Sequence, residues 1–145
     1  MTSTPAQSPP RIVVGLDGSA ASIAALNWAV RQAELTGTPL ETVTAWQWPS
    51  KYQWIRTPAD YDPAGDTRQK VDAIVDEVRS AHPSVAIEST VVEGHPATVL
   101  VTESRGATLL VVGSRGHGEF PGMVLGSVSQ HCVAAAHCPV LVLRD

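Results

Sequence analysis

Five short apolar runs are separated by four stretches of helical spacing, and this strict alternation leaves few folds open to the chain. Arg11-Ile12-Val13-Val14-Gly15-Leu16 reads as a first strand. Ser19 is a suitable N-cap for the helix that follows. Ile23, Leu26, Ala29, Val30 and Ala33 recur at helical spacing there, and Gly37 with Pro39 ends it. Leu40 to Trp46, rich in Thr and Val, is a second strand. Val71, Ile74, Val75 and Val78 mark a second helix that stops before Pro83. Val85 to Val92 alternates apolar and polar side chains, as a strand near a sheet edge does. Pro96 opens a third helix at its first turn, with Val99 and Leu100 facing inward. Thr108 to Val112 is an apolar strand buried on both faces. Leu125, Val128, Cys132 and Ala136 mark a fourth helix, and Pro139 leads into Val140-Leu141-Val142-Leu143.

Strands that alternate with helices predict a parallel sheet covered on both faces, with right-handed crossovers. The expected fold is a single-domain, Rossmann-like α/β open sheet of five parallel strands in the order 3-2-1-4-5. In such sheets ligands bind beyond the carboxyl ends of the strands, where the strand order reverses. Strands 1 and 4 flank that point here. Residues 1–10 are polar and Pro-rich and are expected to form a disordered arm ahead of a domain spanning 11–145. Gln47 to Asp66 carries Pro49, Pro58, Pro63 and Gly65 without periodicity and is expected to be a long, flexible surface loop.

Composition removes several function classes. A length of 145 residues is one domain's worth, and a net charge of −4 with no basic cluster argues against nucleic acid or an anionic membrane as partner. No apolar run approaches the roughly 20 residues that span a bilayer. The N-terminal residues lack the apolar core of a signal peptide, so the expected location is cytoplasmic. Cys132 and Cys138 share no metal-ligand spacing with other residues and read as inert packing thiols. His82, His95, His131 and His137 likewise share no metal-binding spacing.

The chemistry concentrates after strand 4, in Gly113-Ser114-Arg115-Gly116-His117-Gly118, answered by Gly126-Ser127 at the start of the fourth helix. Glycine there lets backbone N–H groups approach a ligand without a Cβ in the way. A helix N-terminus adds unpaired donors and the positive end of a dipole. Together these form a cradle for phosphate. A Walker A loop is excluded, because Lys51 and Lys70 lie in no glycine loop. Gly15 and Gly18 do not fit the dinucleotide fingerprint after strand 1.

The spacing Gly113, two residues, Gly116, nine residues, Gly126-Ser127 resembles the nucleotide-binding motif of the universal stress protein family, in its ATP-binding branch. The resemblance runs from Arg11 to Leu143 and includes the opening Val-Val-Gly-Leu-Asp-Gly-Ser and the terminal Cys-Pro-Val-Leu-Val-Leu. It implies ATP with Mg²⁺ as the ligand. Gly113, Gly116 and Gly126 then let backbone approach ribose and phosphates, with Ser114, Arg115, His117 and Gly118 alongside. Ser127 donates its hydroxyl and N–H to a phosphate, and Val128 adds a second N–H. Asp17 faces the ribose–phosphate region directly or through Mg²⁺, beside Gly15 and Leu16. Ala45 matches the position whose backbone recognises adenine, and Gly94 lines the pocket. The resemblance also implies a homodimer through the C-terminal strand, 139–143, paired with its copy.

Simpler roles compete with these. Asp17 also suits a cap for the first helix. Arg115 and His117 also suit solvated loop positions, and Trp46, Trp48 and Trp54 suit core or lid packing as well as contact with adenine. The local sequence suggests no Ser-His-Asp or Cys-His set to supply a catalytic centre. The alternatives to ATP-dependent signalling are cyclic AMP binding in the same pocket, slow ATP hydrolysis, and an interaction module that binds no nucleotide.

Overall fold

The computed structural model describes residues 9–48, 62–115 and 125–144. The elements alternate as expected: β1 (Ile12–Gly15), α1 (Ala20–Thr36), β2 (Leu40–Trp46), α2 (Pro63–Ala81), β3 (Ile87–Glu93), α3 (Pro96–Glu103), β4 (Leu109–Gly113), α4 (Ser127–Ala135) and β5 (Val140–Leu143). The five strands form one parallel sheet in the order β3-β2-β1-β4-β5. β1 therefore lies centrally, between β2 and β4. β3 and β5 form the two edges.

Side-chain alternation along the strands divides the core into two layers. Ile12 and Val14 turn to the side covered by α1 and α2, where they join Leu26, Val30, Leu40, Val75 and Val111. Val13 turns to the side covered by α3 and α4, with Val43, Leu100, Leu110, Val112 and Cys132. Val13, Val14, Leu110 and Val111 are fully buried, which explains the unbroken apolar runs of β1 and β4. Each such side chain contributes about 1.5–3 kcal/mol of transfer free energy.

Local signals set the helix ends. Ser19 caps α1 by accepting the Ser22 N–H on its side chain, and Gly37 closes the helix in the left-handed conformation. α2 corrects the expected extent of the 47–66 loop. Asp62 accepts the Gly65 N–H at 3.0 Å, Pro63 occupies the first turn, and residues 63–66 are helical. A proline read as a breaker is here a helix starter, since its missing N–H is one the first turn leaves unpaired anyway. Residues 49–61 of that loop and 1–8 of the expected arm lie outside the described residues. Among the described residues, no helix is long and apolar enough to cross a membrane.

Around the amino ends of β1 and β2, on the α3 side, a polar brace ties strands to α3 and β3. Arg11 donates from Nε to Glu41 at 3.1 Å and from Nη2 to the Glu103 carbonyl at 2.8 Å. Thr90 donates to the other oxygen of Glu41 at 2.9 Å. The Glu103 carboxyl is held above its usual range, first by burial and then by Glu41, against a weaker pull from Arg11.

Candidate functional site

At the carboxyl ends of β1 and β4, where the strand order reverses, the molecule opens into a cleft of about 290 Å³. That is near the lower end of the size of small-molecule sites. Gly15, Leu16 and Asp17 enter it from β1, Ala45 from β2, Gly113 and Arg115 from β4, and Gly126 and Val128 from the start of α4. These eight residues were all singled out by sequence. Pro96 and Leu100 of α3 close one wall, and Ser19 and Ser22 of α1 another.

The close packing of α1 on β4 requires glycine at 113. A Cβ there would lie 2.9 Å from the Ala21 Cβ and 3.0 Å from that residue's carbonyl carbon and oxygen. The first turn of α1 thus rests directly on the end of β4 and brings Ser19 and Ser22 to the cleft. Asp17 organises this turn. Its Oδ1 accepts the Ser19 N–H at 2.9 Å, and its own N–H donates to Ser22 Oγ at 3.2 Å. Ser22 in turn donates to the Ser19 carbonyl at 3.0 Å. Asp17 therefore supports the helix start and also lines the cleft.

Across the cleft, α4 begins at Gly126, whose lack of a side chain leaves the helix without a side-chain cap. Its start is fastened to β4 by the Ser114 carbonyl, which accepts the Gly126 N–H at 2.6 Å and the Ser129 hydroxyl at 3.0 Å. Ser114 itself is buried and donates its N–H to Leu143 of β5 at 2.9 Å.

Not every expected site residue is in the described lining of the cleft. Ser114 and Ser127 do not line the cleft; Ser127, at the first position of α4, is exposed. Gly94 is a turn residue between β3 and α3, with φ +151°, donating its N–H to the Trp46 carbonyl at 2.9 Å. It needs the conformation that glycine adopts freely, and it does not line the cleft. Gly116, His117 and Gly118 lie outside the described residues. Trp46 and Trp48 meet edge to face, with ring centroids 5.8 Å apart, just beyond Ala45. Sequence reasoning missed Ser19 as a wall residue, and also Ser22, Val43, Pro96, Leu100, Val112 and Ser129. The i, i+3 spacing of Ser19 with Ser22 and of Gly126 with Ser129 was the available signal, since it puts both members on one helix face.

The charged residues of the described lining are Asp17 and Arg115. Among the described residues no three His, Cys, Asp or Glu side chains are grouped to hold a metal ion. Burial, and then Cys138, push the Cys132 thiol up to about 11, and burial also raises Cys138. Neither is an activated nucleophile.

The Universal stress protein family matches residues 10–144 of this chain. A universal stress protein of Mycobacterium tuberculosis is 36% identical over 146 residues, covering 92% of this chain and 47% of its own length. The chain thus spans about half the length of the curated relatives it matches. Among solved structures, UspA from Lactobacillus plantarum superposes with a TM-score of 0.72 at 21% identity, covering 97% of this chain and 100% of its own. A universal stress protein in complex with cAMP superposes with a TM-score of 0.67 at 26% identity, covering 96% of this chain and 98% of its own.

Proposed function

This chain belongs to the universal stress protein family, and on that premise we propose that it binds an adenine nucleotide, ATP with Mg²⁺, in the cleft between β1 and β4. The observation that carries this reading is the start of α4. A nine-residue helix opens beside the cleft with glycine, and so no side-chain cap bond, at its N-cap. The N–H groups and dipole of such an end favour phosphate. The cAMP complex of a solved relative supports the class of ligand.

In this reading Ala45 lies beside the base. Asp17 faces the ribose and phosphates, and Gly113, Gly116 and Gly126 let backbone approach them. Ser127, Val128 and Arg115 serve the phosphates, with Ser114, His117 and Gly118 of the same loop. Small residues, Gly113 and Gly126 among them, line the cleft where a phosphate chain would pass. Its described lining carries one cation against one carboxylate, so a triphosphate needs a further positive charge. Mg²⁺ supplies that charge, and it takes few protein ligands, keeping waters and phosphate oxygens for the rest. Asp17 is the carboxylate at hand.

The same lack of net positive charge favours a second reading, cyclic AMP, whose single negative charge asks for less compensation than a triphosphate. Nucleotide occupancy is then the signal in a stress response. The setting is cytoplasmic, and the working unit is a symmetric dimer through β5. Calorimetry with ATP, ATP plus Mg²⁺ and cyclic AMP separates these ligands. Gly126→Val puts a branched side chain in the phosphate path and should abolish ATP binding. A folded Gly126→Val variant with wild-type ATP affinity overturns the site.

A further inference from the structure

We propose that Ser129 is a positioning residue: its hydroxyl clasps the start of α4 to the end of β4 and so fixes the aim of the helix N-terminus toward the ligand. The inference rests on the nucleotide-binding reading above. Ser129 is the third residue of α4 and is 2% exposed. Its Oγ lies 3.0 Å from the Gly126 carbonyl and 3.0 Å from the Ser114 carbonyl. The first contact is the ordinary local bond of a serine to the residue three before it. The second is not local, since it joins residues 15 apart and crosses from helix to strand.

A serine hydroxyl has one proton, which these two carbonyls share. The Ser114 carbonyl also receives the Gly126 N–H, so both its lone pairs are used at one point between β4 and α4. That point is anchored in turn, because the Ser114 N–H is bonded to Leu143. The helix start is thereby indexed to the sheet. Gly126, at the cap itself, has no side chain to do this. Farther along α4, Cys132 is fully buried in the core, so the helix stays docked when the clasp is removed. What is lost is the fixed position of its first turn, on which a cradle made of backbone donors depends.

The test titrates the full-length chain with ATP plus Mg²⁺ and with cyclic AMP by calorimetry, at a temperature where melting curves show each variant folded. Ser129→Ala should weaken binding about tenfold, the effect of one hydrogen bond near the upper end of its usual worth, and should speed exchange of the Gly126 amide. Ser129→Thr, which keeps the hydroxyl, should restore both. Wild-type affinity in Ser129→Ala overturns the clasp and leaves the nucleotide reading intact. An equally weak Ser129→Thr also overturns it, because volume rather than the hydroxyl then matters. Failure of the wild type to bind either nucleotide overturns the nucleotide reading itself. If Ser129→Ala does not fold, Ser129→Cys keeps a weak donor of similar size. It should bind measurably more weakly than wild type, and unchanged affinity overturns the clasp.

Discussion

Replacing Gly113 with alanine tests how α1 is held over the cleft. The added Cβ would sit 2.9 Å from the Ala21 Cβ and 3.0 Å from its carbonyl carbon and oxygen. Carbon atoms prefer separations of about 3.5–4.0 Å, so the two elements must part by about half an ångström or more. No flexible side chain can absorb this, because the obstacle is the first turn of α1 and the end of β4. Overpacking of this kind costs about 1–3 kcal/mol. Taking about 2 kcal/mol, a domain of this size should lose about 4–8 °C of melting temperature. Urea denaturation should show a lower midpoint with an unchanged slope. Ala21→Gly removes the Cβ–Cβ contact but not the backbone contacts. In the Gly113→Ala background it should therefore recover part of the loss, visible as a favourable coupling in a double-mutant cycle. A Gly113→Ala variant within about 0.5 kcal/mol of wild type, or a cycle with no coupling, would refute the close-packing argument.

Three further outcomes are expected. Glu103→Gln should raise the melting temperature at neutral pH. Folding raises the pKa of this carboxyl, so its ionised form is penalised in the native state and the protein gains stability as pH falls through that raised value. The advantage of the variant should therefore fade as pH falls and be gone by about pH 3, where both states of the wild type are protonated; a benefit that is constant with pH rules out this cause. Thr42→Val should be neutral or stabilising by up to about 1 kcal/mol, because Thr42 Oγ1 is buried with no hydrogen-bond partner among the described residues; a clear loss in chemical denaturation would show that the hydroxyl has a partner. The chain should run as a dimer in light scattering, and Val142→Arg on β5 should yield the monomer. A monomeric wild type at working concentration removes β5 as an interface.

The fold was legible because its signals are local and repeated. Val13 and Val14 sit in an unbroken run because both faces of β1 are covered, and Ile23 to Ala33 keep helical spacing because one face of α1 is buried. The start of α2 was misread because proline has two meanings, and only the Asp62 cap decides between them. In the cleft, Gly113 and Gly126 stood out because absent side chains leave a mark in sequence. Ser22 and Ser129 did not, since a serine looks alike whether it caps, braces or faces solvent, and only helix phase separates buried Ser129 from exposed Ser127. Gly94 misled for the opposite reason: its glycine is explained by a turn dihedral, which sequence cannot tell from close approach to a ligand.

The brace of Arg11, Glu41, Thr90 and Glu103 centres on the amino ends of β1 and β2, while the cleft lies at the carboxyl ends of the strands. Thr90 reaches nearest to the cleft, midway along β3 and opposite Val43, which lines it. Charge changes at Arg11, Glu41 and Glu103 thus act on melting temperature and its pH response from positions outside the cleft lining. Stability and the shape of the cleft are therefore set largely by different residues, which substitutions can address one at a time.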